Sequence, residues 1–125
     1  DQTHMYGIVG VADSKAKTSP ITSMIEKPPR GKAPSNLHIT GRYILQPEIM
    51  KILETQERGA GGEIQLTDAM ITLQERDKQA FHAVRFDGEL HDCGSKIGWL
   101  TANFAYALAR DDLGPALRAE LKKLL

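Results

Sequence analysis

The chain contains 125 residues, a length that suits one domain or part of a larger one. Its 16 basic residues balance 16 acidic residues, and this neutral charge argues against a nucleic-acid-binding domain, which usually carries a basic excess. No apolar run approaches the roughly 18 residues of a membrane span. The single cysteine, Cys93, excludes an internal disulfide and fits a reducing cytosol. We therefore expect a cytoplasmic protein with neither a nucleic acid nor a membrane as its partner.

The first third of the chain predicts strands rather than helices. Residues 5–12 are rich in β-branched and apolar residues, residues 21–26 form a second short strand, and residues 37–45 alternate in polarity. The polar residues 13–20 are predicted to form a loop. Because no helix separates these strands, an antiparallel or mixed arrangement is favoured. The first strand starts within five residues of Asp1, so we expect its neighbours to lie in an N-terminal part that precedes this chain.

Helical patterns dominate the middle of the chain. Pro47 stands where a first helical residue tolerates proline, and the apolar spacing after it predicts a helix. Thr67 is predicted to cap a second helix, with Leu66 and Ile71 as a hydrophobic staple. A glycine pair before a helix is one way to bind a phosphate, but Glu63 and Asp68 would repel an anion there. The glycine-rich residues between these helices are therefore interpreted mainly as a hinge and a helix cap.

The last third predicts a hairpin and two helices. Residues 80–86 alternate, Asp87-Gly88 marks a tight turn, and residues 89–91 are a candidate for the returning strand. Residues 96–109 predict a helix, and a final helix starts near Pro115. One face of that final helix is formed by Leu117, Leu121, Leu124 and Leu125. This face is expected either to contact another subunit or to pack on the chain's own core.

The strongest chemical candidate is the pair Glu26-Lys27, where a strand ends at a proline. A strand end can aim two neighbouring side chains into one cleft, although alternation would separate them inside a strand. A carboxylate accepts hydrogen bonds from sugar hydroxyls, and an ammonium is a point charge for phosphate. The alternative is a solvated surface charge pair, and four residues alone favour that alternative.

Glycines inside strands provide two weaker candidates. Gly7 and Gly41 each interrupt a predicted strand, which marks either close approach of a ligand or a tight packing contact. Asp92 follows a predicted strand and precedes a helix, a position where carboxylates often line ligand crevices. It is a candidate for Mg²⁺ binding, and a turn or helix cap is the equal alternative.

Taken in order, these pieces resemble the C-terminal part of the bacterial-type UTP–glucose-1-phosphate uridylyltransferases. The resemblance spans roughly residues 5–112, and its most specific parts are residues 59–69 and 92–96. The stretches that carry it are Tyr6-Gly7-Ile8-Val9, Ile25-Glu26-Lys27-Pro28, Ala33-Pro34-Ser35-Asn36-Leu37, Gly41-Arg42-Tyr43, Gly59-Ala60-Gly61-Gly62-Glu63-Ile64-Gln65-Leu66-Thr67-Asp68-Ala69 and Asp92-Cys93-Gly94-Ser95-Lys96.

The resemblance implies an α/β fold, the C-terminal portion of a Rossmann-like, mixed-sheet nucleotide-diphospho-sugar transferase. Residues 1–112 would form its sugar-phosphate-binding part. Residues 113–125 would form a C-terminal helix, and its leucine face is the candidate for a subunit contact in the expected homo-oligomer. The family's early G-x-G-T-R-type phosphate loop and a further metal-binding Asp are absent from this sequence. This chain is therefore expected to be inactive alone.

The resemblance also implies a role for individual residues. Glu26 would bind the glucose hydroxyls, and Lys27 would bind the sugar phosphate and act in catalysis. The Gly7 backbone would lie against the sugar ring, with Ile39 to Gly41 lining the pocket floor. Asp92 would lie near Mg²⁺ and the phosphates of the substrates UTP and glucose 1-phosphate. Two alternatives stay open: another sugar-1-phosphate nucleotidyltransferase, such as a thymidylyltransferase, or a non-catalytic sugar-phosphate-binding module.

Overall fold

A computed structural model describes residues 2–124, which form two compact units that divide between Phe86 and Asp87. The first unit contains strands β1 (Gly7–Val11), β2 (Thr18–Glu26) and β3 (His82–Val84) and helices α1 (Glu48–Thr55) and α2 (Leu66–Glu75). The second contains helices α3 (Lys96–Leu108) and α4 (Gly114–Leu124). Short 3₁₀ turns lie at Thr3–Met5 and Ala60–Gly62. Among the helices of residues 2–124, none combines the length and apolar character that crossing a bilayer requires.

The three strands form one antiparallel sheet in the order β1-β2-β3. The long strand β2 pairs with β1 through residues 21–26 and with β3 through residues 18–20. Val9, Met24, Ile52, Met70 and Leu73 belong to the buried cluster where the sheet meets α1 and α2. This core fixes the carboxyl end of β2 against the start of β1, which positions the candidate site.

Strand β2 begins earlier than the sequence indicates, so the predicted loop at residues 18–20 is wrong. Pro20 lacks the amide hydrogen that a central strand needs, which favoured a loop. Here its carbonyl accepts from Ala12 N at 3.0 Å, and it lies opposite His82 in the register. The neighbouring strand β3 therefore extends β2 despite the proline.

The predicted strand at residues 37–45 is also wrong. His38 forms one isolated bridge with Ile8, flanked by two backbone hydrogen bonds to β1. The extended path then ends at Gly41, whose φ of +70° lies in the left-handed region. Alternating polarity describes the side chains, but a strand also requires a neighbouring backbone, and here the pairing ends after one bridge.

Two local expectations about α2 and the hairpin fail. Thr67 does not cap α2, because the cap residue is Gln65 and the helix begins at Leu66, so Leu66 and Ile71 do not occupy the positions of a staple. No strand occurs between Phe86 and the start of α3 in this described region, so residues 89–91 form no hairpin. A hairpin would need a partner edge, whereas the pairing of β3 is with β2.

The two C-terminal helices form where the apolar spacing predicts them. Ser95 caps α3, since its hydroxyl accepts from Gly98 N at 3.0 Å. In α4, Leu117 and Leu121 are half-buried, whereas Leu124 is exposed. Leu125, the fourth leucine of the predicted face, lies outside the described residues.

Candidate functional site

The carboxyl end of β2 turns two neighbouring charged side chains toward each other. Lys27 follows the strand with a φ of +45°, a left-handed conformation that costs a non-glycine residue about 1 kcal/mol. Its amide still donates to Tyr6 O at 3.1 Å, and the fully buried Pro28 follows. The turn breaks the strand alternation, so Lys27 Nζ lies 4.0 Å from Oε1 of Glu26.

Gly7 forms the floor beneath the carboxylate of Glu26. The two residues are opposite partners in the β1–β2 register, and directly opposite side chains share a face of the sheet. A methyl carbon at Gly7 would lie 2.8 Å from Glu26 Oε2, 3.0 Å from Thr67 Oγ1 and 3.2 Å from Ile39 Cδ1. Thr67 is buried, and the Glu26 side chain is 11% exposed. The site is therefore a narrow polar recess with one apolar wall.

We expect Gly7→Ala to lower the free energy of unfolding by about 1–3 kcal/mol, the cost of overpacking. The added methyl must displace the nearest group, the end of the flexible Glu26 side chain, so the recess loses its carboxylate geometry. Because the charge of Glu26 is one cause of the raised pKa of Asp68, this pKa should change in Gly7→Ala. The control is Gly10→Ala on the same strand, where the methyl meets Ser23 instead. An equal change in the pKa of Asp68 in both variants would contradict the floor role.

The ammonium of Lys27 lies between two carboxylates. Besides Glu26, Oε2 of Glu63 lies 3.8 Å from Nζ, and the Lys27 side chain is 37% exposed. Glu63 follows a glycine-rich turn, whose Gly61 and Gly62 both have positive φ values. The Lys27 charge is thus balanced on two sides and open to solvent on a third.

Two further acidic groups feel the charge of Glu26. Burial raises the pKa of Asp68 above its ordinary value, and the negative charge of Glu26 raises it further. Burial and then the charge of Glu26 also raise the pKa of Tyr43. Because both groups respond to the same carboxylate, Asp68 and Tyr43 belong to the surroundings of the recess. Sequence reasoning did not select either residue.

The raised pKa of Asp68 predicts a pH-dependent effect on stability. The folded state favours the protonated carboxyl, so this contribution is full below the unfolded pKa and is lost as pH rises through the folded pKa. Asp68→Asn removes the ionisation, so its Tm relative to the unmodified protein should be higher near pH 7 than near pH 3. Asp77→Asn is a control of opposite sign, because its bond to Arg76 lowers the pKa of Asp77. Identical pH profiles for the two variants would contradict the assignment.

The segment after β2 brings Ile39 to the recess but leaves Gly41 apart from it. Ser35 Oγ donates to Val9 O at 2.6 Å and accepts from Leu37 N at 2.9 Å, which holds the segment on β1. Ile39 N then donates to Gly7 O at 2.9 Å, so its side chain lines the floor. Gly41 is exposed, and no described atom lies within 4 Å of where its side chain would be.

Asp92 lies on an exposed turn of the second unit rather than at a strand end. Its Oδ1 accepts from Gly94 N at 2.8 Å, a side-chain turn, and the helix cap belongs to Ser95. Among residues 2–124, no group of three or more His, Cys, Asp or Glu side chains is arranged to hold a metal. A carboxylate is a ligand that Mg²⁺ prefers, so Asp92 fits as one ligand of a site completed by others.

Sequence reasoning missed Thr67, Asp68 and the contact of Glu63 with Lys27. All three lie in the glycine-rich stretch that was interpreted mainly as a hinge and a cap. Acidic residues there argued against an anion site, but the structure directs Glu63 toward a cation instead. The sequence does contain one sign of a binding site here: more polar residues surround Thr67 than a helix cap needs.

Comparison with known proteins assigns the chain to a family. Residues 1–107 match the model of the family described as Nucleotidyl transferase. The chain belongs to this family. The expected α/β transferase fold is confirmed by a UTP-bound UGPase from Acinetobacter baumannii, with a TM-score of 0.81 and 40% identity. That match covers 99% of this chain and 42% of the solved one. A second match, UDP-glucose pyrophosphorylase complexed with UDP-glucose, has a TM-score of 0.76 and 39% identity, and covers 86% and 40% of the two chains.

Two curated relatives of the chain share one name. A UTP–glucose-1-phosphate uridylyltransferase of Bacillus subtilis is 43% identical over 98% of this chain, and one from Staphylococcus epidermidis is 42% identical over 98%. The predicted resemblance is confirmed. The chain spans about 43% of the length of the Bacillus subtilis protein and 42% of the other.

Proposed function

We propose that the intact protein containing this chain is a UTP–glucose-1-phosphate uridylyltransferase, and that residues 5–112 contribute its sugar-phosphate site. The observation that carries the proposal is the recess at the end of β2. There Glu26 covers the bare backbone of Gly7, and the ammonium of Lys27 lies beside it. The names of relatives above 40% identity support the choice of substrates.

Each residue of the recess contacts a different part of glucose 1-phosphate. Glu26 accepts hydrogen bonds from glucose hydroxyls, and the absence of a side chain at Gly7 leaves space for the ring. Ile39 supplies the apolar wall, whereas the exposed Gly41 lies apart from the recess and is given no contact with the sugar. Lys27 binds the phosphate with its ammonium, which lies beside Glu26 and is partly open to solvent.

The reaction is a displacement at phosphorus. A phosphate oxygen of glucose 1-phosphate attacks the α-phosphorus of UTP. The bond from that phosphorus to the α,β-bridging oxygen breaks, and pyrophosphate leaves with the electron pair. Lys27 neutralises charge on the attacking phosphate and on the bond that forms, and catalysis of this kind depends on positioning and charge. Mg²⁺ when bound would neutralise the phosphates of UTP, and Asp92 would provide one of its ligands.

We also propose that the intact protein is cytoplasmic and forms a homo-oligomer through α4.

We expect Asp92→Asn to raise the Mg²⁺ concentration needed for half-maximal rate. Asparagine also forms the side-chain turn to Gly94, so Tm should barely change. Ser95→Ala is the matched control: it removes the cap of α3, costs about 1 kcal/mol of stability and leaves the Mg²⁺ requirement alone. An unshifted Mg²⁺ requirement in Asp92→Asn would remove Asp92 from the metal site.

The function itself is tested by turnover of the intact protein. UTP and glucose 1-phosphate should give equal amounts of UDP-glucose and pyrophosphate, and omission of either substrate should abolish both products. Replacement of UTP by dTTP tests the thymidylyltransferase alternative directly. Faster turnover with dTTP, or binding of glucose 1-phosphate without product, would contradict the proposal.

A further inference from the structure

Glu63 and Lys27 form an ion pair whose function the proposed reaction does not explain. The Glu63 side chain is 70% exposed, yet its Oε2 lies 3.8 Å from the Lys27 ammonium. A solvated glutamate is free to point elsewhere, so its position beside the cation that serves the sugar phosphate requires a reason. The Glu26 carboxylate lies on the other side of the same ammonium at 4.0 Å.

Hydrogen bonds hold the backbone of the turn that carries Glu63, and Gln65 contacts its carboxylate. Gly59 N donates to Glu63 O at 2.9 Å, and Gly62 N donates to Gly59 O at 3.0 Å, so the turn is closed by its own backbone. Arg58 Nη1 donates to Gly62 O at 2.8 Å. The amide of Gln65 donates to Ala60 O at 2.7 Å and to Glu63 Oε2 at 3.2 Å. Glu63 therefore has a second partner that can keep its carboxylate when the ammonium is taken by another anion.

Both carboxylate distances to Lys27 exceed an ordinary N–H···O hydrogen bond. The pair is held by charge alone, so the N–H groups of Lys27 are available to a stronger acceptor. A phosphate monoester near neutral pH carries up to two negative charges and three terminal acceptor oxygens. It competes directly with Glu63 for the same cation.

We propose that Glu63 is the exchangeable counter-ion of Lys27 and sets the affinity of the site for a phosphate monoester. Any anion that enters must displace Glu63 and must also approach its negative charge. The affinity for phosphate is thus lower than Lys27 alone would give. The identity of the sugar in this inference rests on the proposed function. The competition between phosphate and Glu63 does not depend on it.

The test measures the Kd of glucose 1-phosphate and of inorganic phosphate by calorimetry on the intact protein. Exposed ion pairs are worth little, so Glu63→Gln should tighten both ligands by about two- to fivefold. Glu63→Asp keeps the charge and should stay close to the unmodified protein. Glu75→Gln is the control for net charge, because it removes one negative charge at the far end of α2. The rise of the helix places residue 75 about 13 Å from Leu66, the end nearer to Glu63.

Three results would overturn the inference. Unchanged or weaker phosphate binding in Glu63→Gln would show that Glu63 does not compete for Lys27. Equal tightening in Glu75→Gln would reduce the effect to net charge, and tightening in Glu63→Asp would show that the charge is irrelevant. Inorganic phosphate separates this inference from the proposed function: if it binds as expected but glucose 1-phosphate and UTP give no UDP-glucose, only the assigned reaction fails.

Discussion

Lys27→Ala should lower kcat/KM of the intact protein by about two orders of magnitude or more, the effect of removing one charge-stabilising group. In the part of the chain that the structure describes, the Lys27 ammonium is the cation paired with Glu26, at 4.0 Å from its carboxylate. Alanine keeps the same left-handed backbone strain, so folding stability should change little. The rate of uridylyl transfer at substrate concentrations below KM gives kcat/KM for the variant and the unmodified protein.

Two controls make the Lys27 result specific. Lys51→Ala removes an exposed lysine from α1 with the same charge change and should leave the rate within about twofold. Lys27→Arg retains the charge with a different donor geometry and should recover part of the activity. Near-normal turnover in Lys27→Ala would reject the catalytic assignment.

Glu26→Gln should weaken glucose 1-phosphate by about 10- to 100-fold while UTP binding changes little. The substitution keeps the shape over Gly7 but replaces charged hydrogen-bond acceptors for the sugar hydroxyls with an amide. Hydrogen bonds to charged groups are worth about 1.5–3 kcal/mol, which sets this range. The KM values of the two substrates measured separately provide the readout.

The Glu26 variant has an independent physical marker. The negative charge of Glu26 is one cause of the raised pKa of Asp68, so this pKa should fall in Glu26→Gln. Glu48 is an exposed residue in the first turn of α1, so Glu48→Gln should alter neither the KM values nor this pKa. Equal loss of affinity for both substrates would indicate misfolding or a different role.

The sequence predicted the part of the site that depends on neighbours along the chain. Glu26, Lys27 and Pro28 are consecutive, and the end of a strand at a proline is a local property. Gly7 was also selected, because a glycine inside an apolar strand has a limited set of explanations. The structure adds that these two local features are cross-strand partners.

The missed parts depend on contacts between distant segments. Thr67 reaches Gly7 only because α2 packs on β2, and Tyr43 responds to Glu26 across a loop that was predicted as a strand. Strand β2 includes Pro20 because β3, more than 60 residues later, pairs with it. The propensities of neighbouring residues do not include these effects, because contacts between distant segments supply the free energy that decides the local structure.

In the proposed function, the recess at the end of β2 holds the sugar phosphate. A crystal structure of the intact protein with glucose 1-phosphate bound tests this directly. We expect a glucose hydroxyl within hydrogen-bond distance of the Glu26 carboxylate, the phosphate against Lys27 Nζ, and the ring over Gly7. A sugar bound elsewhere, with Glu26 and Lys27 contacting only each other and Glu63, would contradict it.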